Sequence, residues 1–272
     1  MANPVLQNGA ASPVSIYETV TENPGHPIGI RGTLDDRSFR FVKFMSGTAI
    51  GPNKVAAMAA PVAEHTSEAN DPWVAGTKVV PFTPAAVIVS QDQYRDGYIK
   101  IEGGTNGIGQ MYKVTSHGFK DLSAATTFSL YDEVVTTTTG SETATLISNP
   151  WSGIVINPTT AVTAACGVTL ANFAAVATST SAVSGYLQTA GTVAAPTTYT
   201  QPRFGWVQTW GIASVLLDTS ALVAGHGVGL SALTAGACAV AVETDIEQRI
   251  GIAMEAMTTD NIYATVFLQI AP

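Results

Sequence analysis

Residues 249–270, RIGIAMEAMTTDNIYATVFLQI, decide the fold class. In the second half of this stretch Ile262, Ala264, Val266, Leu268 and Ile270 fall on one side of an extended chain, with Tyr263, Thr265, Phe267 and Gln269 on the other. A period of two marks a half-buried strand. In the first half Ile250, Ile252, Met254 and Ala256 alternate with Arg249, Gly251, Ala253 and Glu255, and Thr258-Thr259-Asp260-Asn261 has the polar chemistry of a short connection. The two runs predict a β-hairpin. Upstream, Gly225, Gly227, Gly229 and Gly236 break short apolar runs at intervals expected of turns rather than helices. The expectation is an all-β protein of small barrel or sandwich modules.

Composition narrows the function classes. The 272-residue chain is 46% hydrophobic and only 12% charged, which is compatible with a folded protein and not with a disordered one. A net charge of -8 weighs against nucleic-acid binding, which needs clustered cations, and nothing favours an anionic membrane surface. Cys166 and Cys238 lie in Ala-rich surroundings and are expected as buried small side chains. The opening MANPVLQNGAASP has neither a basic n-region nor an apolar h-region, so folding in the cytoplasm is expected.

Four consecutive segments are expected. Residues 1–75 form an extended N-terminal arm followed by an aromatic, basic strand. Pro4, Pro13, Pro24 and Pro27 with Gly9, Gly25 and Gly29 are too many breakers for long regular elements, so the arm should lie along its own body or a neighbouring subunit. Arg37-Ser38-Phe39-Arg40-Phe41-Val42-Lys43-Phe44 reads as a strand, and Arg31, Arg37, Arg40, Lys43 and Lys54 make a local basic patch on an acidic protein. Either Asp35 and Asp36 neutralise these cations, or Arg37, Phe39, Arg40, Phe41 and Lys43 form a docking patch for an acidic partner. Residues 76–158 are a β-rich module, in which Tyr98-Ile99-Lys100-Ile101-Glu102 alternates cleanly before a glycine-rich connection. Residues 159–202 are a charge-free Ala/Thr/Ser segment, expected as an oligomer interface or a linker, and residues 203–272 are the C-terminal β module.

DDRSFRFVKF, followed by GTAIGPNKVAA, resembles an opening motif of tailed-bacteriophage virion structural proteins, carried here by Asp36, Arg37, Phe39, Arg40, Phe41 and Lys43. The C-terminal pattern, AGHGV at residues 224–228 and IGIAMEA at 250–256, is similar to capsid decoration (cement) proteins. Asp36 departs from the pattern, which has glycine there. The resemblance covers about a third of the chain and implies a homo-oligomer, a trimer, that binds the major capsid protein on the outer capsid surface and stabilises the shell without covalent chemistry or a cofactor.

Candidate chemistry is sparse. His26, His65, His117 and His226 are dispersed without zinc-ligand spacing. Glu243, Asp245 and Glu247 alternate and read better as a solvated edge than as a calcium site. The GGTNGIG run at 103–109 lacks dinucleotide-site spacing, and no G-x-S-x-G elbow is present. Trp73, Trp151, Trp206 and Trp210 offer a sugar-stacking alternative, although tryptophans in β modules more often anchor cores. Beside the decoration protein stand a carbohydrate-binding or adhesive module, a β-scaffold hydrolase and a major capsid protein. The last ranks lower because no long spine helix is readable.

Overall fold

The computed structural model describes residues 2–84, 89, 91–120, 125–159, 164–176, 178–179, 199–200, 202–218, 221–241, 248–258 and 262–272. The chain is all-β. Five strands come first: β1 (Val5–Leu6), β2 (Thr19–Val20), β3 (Arg31–Leu34), β4 (Arg37–Phe44) and β5 (Val55–Ala57). A 3-10 turn at Ala63–His65 then leads into β6 (Glu68–Ala69), β7 (Val79–Phe82), β8 (Tyr98–Gly103), β9 (Met111–His117), β10 (Thr126–Leu130) and β11 (Thr143–Ile147). The remainder supplies β12 (Ser152–Ile156), β13 (Ala165–Thr169), β14 (Thr178–Ser179), β15 (Tyr199–Thr200), β16 (Arg203–Leu216), β17 (Gly227–Leu230), β18 (Cys238–Val240), β19 (Arg249–Ala253) and β20 (Tyr263–Gln269).

Two compact units result, and they do not follow the four consecutive segments. One comprises Met1–Ala59 with Trp151–Pro272, and the other, Ala60–Pro150, is inserted between them. The physical reason is long-range strand pairing: β4 pairs along β16 from Arg203↔Phe44 to Trp210↔Ser38, so the aromatic, basic strand and the C-terminal module share one sheet.

In the first unit, β4 pairs with β12, β12 with β5, β5 with β13, β13 with β16, and β16 again with β4, so that five strands close on themselves as a small barrel. The β4–β12 pair is parallel. Val42, Phe44, Ala56, Ile154, Cys166, Phe173 and Val207 form one buried cluster there. From β16 the sheet grows outward through β20, β19, β17 and β18, and from β4 through β3 and β1.

The N-terminal arm lies on its own body. Leu6, Val14 and Ile16 pack with Phe39, Phe41, Phe204 and Trp206, and the Trp206 indole donates to the Val14 carbonyl at 3.1 Å. Gly32 is required where this cover closes, because a Cβ there would stand 2.9 Å from Pro4 Cβ and 3.0 Å from the Trp206 ring.

The expected C-terminal hairpin is present, with Gly251↔Leu268 and Ala253↔Val266 in register. Its faces differ from strict alternation: Ile250 is buried, yet Ile252 and Met254 are exposed while Ala253 is buried. An irregularity opposite Val228 and Gly229 shifts the register between Arg249 and Gly251 and turns the following residues over. Gly227 and Gly229, expected in turns, are strand residues of β17.

The charge-free run also resolves differently where it is described. Within residues 159–202, β13 is buried along its whole length as a barrel strand, so that part is neither linker nor subunit interface. Residues 180–198 lie outside the described residues.

The inserted unit is an antiparallel six-stranded sheet in the order β6-β11-β8-β9-β10-β7. Ile99 and Ile101 of the alternating run point into its core with Trp73, Phe82, Tyr94 and Phe128.

Candidate docking surface

The five residues expected to dock divide by face. On β4, Phe39 and Phe41 are 0% exposed beneath the arm, so they hold the fold together and cannot be presented to a partner. Neither alternation nor aromatic content could reveal this, because β4 is covered on both sides: Val42 and Phe44 belong to the barrel cluster, Phe39 and Phe41 to the arm cluster. Arg37, Arg40 and Lys43 remain half-buried. The Arg37 guanidinium lies 5.7 Å from the centre of the Phe39 ring. Arg40 stacks on Trp151 at 5.1 Å and donates to the carbonyls of Gly29 and Pro272. Burial, and then the neighbouring charge of Arg31, lower the Arg40 pKa.

Asp35 and Asp36 do not neutralise these arginines. They form the two-residue connection of the β3–β4 hairpin, where Leu34 pairs with Arg37 and Asp35 takes a positive φ of 54°. The ion pairs among the described residues are Arg95 with Asp92 and Lys100 with Glu102, both in the inserted unit.

A different surface emerges where β16 leaves the barrel. Ile212, Phe267 and Ile252 are direct cross-strand partners on β16, β20 and β19, and so point to the same side. Ile212 is 46% exposed, Ile252 37%, and the adjoining Met254 and Tyr263 50% and 49%. Trp210 meets Phe267 edge-on at 5.6 Å. Beneath this row, Ala213, Val215, Ala264, Val266, Leu268 and Ala253 form the opposite, buried face. The change from one regime to the other falls at Gly211, with φ 88°, where a Cβ would lie 2.9 Å from the Asp36 carbonyl oxygen. Gln208 braces it, its amide donating to the carbonyls of Trp210 at 3.1 Å and Ile212 at 2.9 Å. The signal that could have located this surface was already in the sequence: Tyr263, Phe267 and Ile212 are large residues on the solvent side of strands whose core side is already complete.

The candidate chemical groups are tied into the fold. In the inserted unit, the Tyr94 backbone N–H donates to His117 Nε2 at 2.9 Å, which makes Nδ1 the protonated nitrogen, donating to the Gly118 carbonyl at 2.9 Å. Burial lowers the His117 pKa, outweighing that hydrogen bond and the Asp92 charge. His65 Nδ1 hydrogen-bonds the buried Tyr94 hydroxyl, whose pKa burial raises. Glu142 is wholly buried; burial raises its pKa, but donors from Thr139 and Asn106, with the Gly140 N–H also bonded, outweigh this and hold it down at about 2. Cys166 and Cys238 are buried, and burial pushes both thiols up to about 12. His26 packs against Phe41, and His226 is exposed. Among the described residues no group of three His, Cys, Asp or Glu could hold a metal. Glu243, Asp245 and Glu247 lie outside the described residues. No helix among the described residues is long and apolar enough to cross a membrane.

Of the four tryptophans, Trp73 and Trp206 are core residues, and Trp151 lies under Arg40. Comparison with protein-family models, curated proteins and solved structures finds no match.

Proposed function

We propose that this chain is a virion structural protein of the capsid decoration type, which binds an assembled shell as a homotrimer and acts through binding energy alone. The observation that carries the proposal is the apolar outward row Ile212–Phe267–Ile252, continued by Met254 and Tyr263 on a sheet whose other face is already a complete core. Contiguous apolar surface of this kind marks a protein contact. Ile252 and Met254 belong to the IGIAMEA segment that resembles decoration proteins. The docking surface is therefore assigned to this row rather than to Phe39 and Phe41. Binding only the assembled shell shifts the assembly equilibrium towards it, which is how such a protein stabilises a capsid.

A carbohydrate-binding module is the second reading, favoured by the grouping of Trp210, Tyr263 and Phe267 on that face. The Trp210 and Phe267 rings are inclined at 76°, however, and do not offer the flat platform that stacks on a sugar. Sedimentation velocity of the purified chain, with co-sedimentation on shells of the phage that encodes it, tests the proposal. A trimer with saturable shell binding is expected; a monomer with no affinity for shells contradicts it.

A further inference from the structure

Arg31 and Arg40 are direct cross-strand partners in the β3–β4 hairpin. Like charges so placed repel. Among the described residues neither guanidinium has an Asp or Glu carboxylate within ion-pair distance. The two side chains turn apart instead: Arg31 Nη2 donates to Ser38 Oγ at 3.1 Å, while Arg40 Nη1 and Nη2 donate to the Gly29 and Pro272 carbonyls at 3.2 and 3.1 Å. Both Nε–H groups are shielded from solvent and lack an acceptor. Those two donors are out of a ligand's reach, but Arg31 Nη1 is neither buried nor bonded to a described residue, and the group that matches a guanidinium edge is a carboxylate or phosphate.

Beside Arg31, where β1 pairs with β3, the surface forms a shallow depression of about 210 Å³ lined by Val5, Leu6, Gln7, Arg31 and Thr33. The Gln7 amide and Thr33 hydroxyl add hydrogen-bond donors, neither engaged by another described side chain. Small-molecule sites run to roughly 300–1,000 Å³, so this depression suits one side chain rather than a cofactor. A net charge of -8 repels extended polyanions, whereas one acidic side chain beside Arg31, with Arg40 as its cross-strand neighbour, meets a local field of opposite sign.

We propose that this depression binds the carboxylate of an Asp or Glu side chain on a protein partner, received by the Arg31 guanidinium with Gln7 and Thr33 as auxiliary donors. The site deepens the docking proposal and rests on it only for the identity of the partner. Free phosphate shares the recognition chemistry and is separated by experiment. The arginine Nε–Hε resonances of the full chain are followed by NMR during titration with N-acetylglutamate α-amide, with the uncharged N-acetylglutamine α-amide, and with inorganic phosphate. A saturable shift of the Arg31 signal and of the Gln7 side-chain amide with the glutamate derivative alone is expected, both retained in Arg37→Gln and the Gln7 response lost in Arg31→Gln, whose fold is checked by circular dichroism. Absence of a saturable shift, an equal shift with the glutamine derivative, or a response to phosphate alone overturns the site. Co-sedimentation with shells then tests the partner, the expected loss for Arg31→Gln being about tenfold with a shallower salt dependence. If the glutamate derivative binds but Arg31→Gln associates with shells like the parent chain, the carboxylate site stands and its role in docking falls.

Discussion

The two halves of β16 have the same kind of sequence and opposite surroundings. Residues 203–210 run within the barrel: Phe204 and Trp206 are roofed by the arm, Val207 faces the barrel cluster, and both sides are buried. Beyond Gly211 the strand alternates strictly, with Ala213 and Val215 buried while Ile212 and Ser214 are exposed. An apolar sheet face thus receives a cover from this chain in the first half and stays bare in the second. The difference teaches that the aromatic strand β4 is a stability element, and that the apolar side chains β16 leaves bare lie on its other half.

The largest effect expected from breaking this comparison is on the covered half. Trp206→Ala removes a fully buried indole that anchors the arm through Val14, and should cost about 3–5 kcal/mol in denaturant unfolding of the chain. It should also make residues 2–16 sensitive to protease. Gly32→Ala places a methyl group against Pro4 and the Trp206 ring and should cost about 1–3 kcal/mol by the same assay.

The inserted unit supplies a control that does not depend on the arm. The Glu142 carboxyl is held at about 2 against an ordinary 4.5, so its contribution is present above pH 4.5 and is lost as pH falls through 2. His117 is lowered from 6.5, so its neutral form also favours the folded state and acidification below 6.5 weakens it. Acid should therefore destabilise this unit in two stages, followed by near-ultraviolet circular dichroism, and Glu142→Gln should flatten the lower stage. The smallest effect on stability is expected on the bare half: Ile212→Thr with Ile252→Thr should stay within about 0.5 kcal/mol of the parent in each position, yet abolish measurable co-sedimentation with shells.

Much of the fold was legible because β-periodicity is local. The alternation of residues 262–270, the Tyr98–Glu102 run and the turn glycines need no knowledge of the rest of the chain. What was not legible depends on distant pairing. The Arg37–Phe44 strand looks like an exposed basic, aromatic patch until β16 and the arm are placed over its two faces. The insertion of residues 60–150 has no compositional boundary, since both units are strand-rich. Ile252 and Met254 sat on the same side as Ile250 by simple alternation, and only the irregularity opposite Val228 and Gly229 turns them outward. The Arg31–Arg40 juxtaposition is likewise a matter of hairpin register, fixed by the two-residue Asp35-Asp36 connection.

Hydroxyl-radical footprinting of the chain, free and bound to shells, tests the central claim most directly, because it reads both halves of the comparison in one experiment. Met254 and Tyr263, half-exposed on the bare face, should be oxidised in the free chain and protected on the shell, while Phe39 and Phe41 stay unreactive in both states. Equal oxidation of Met254 and Tyr263 with and without saturating shells would contradict the assignment of this face as the docking surface.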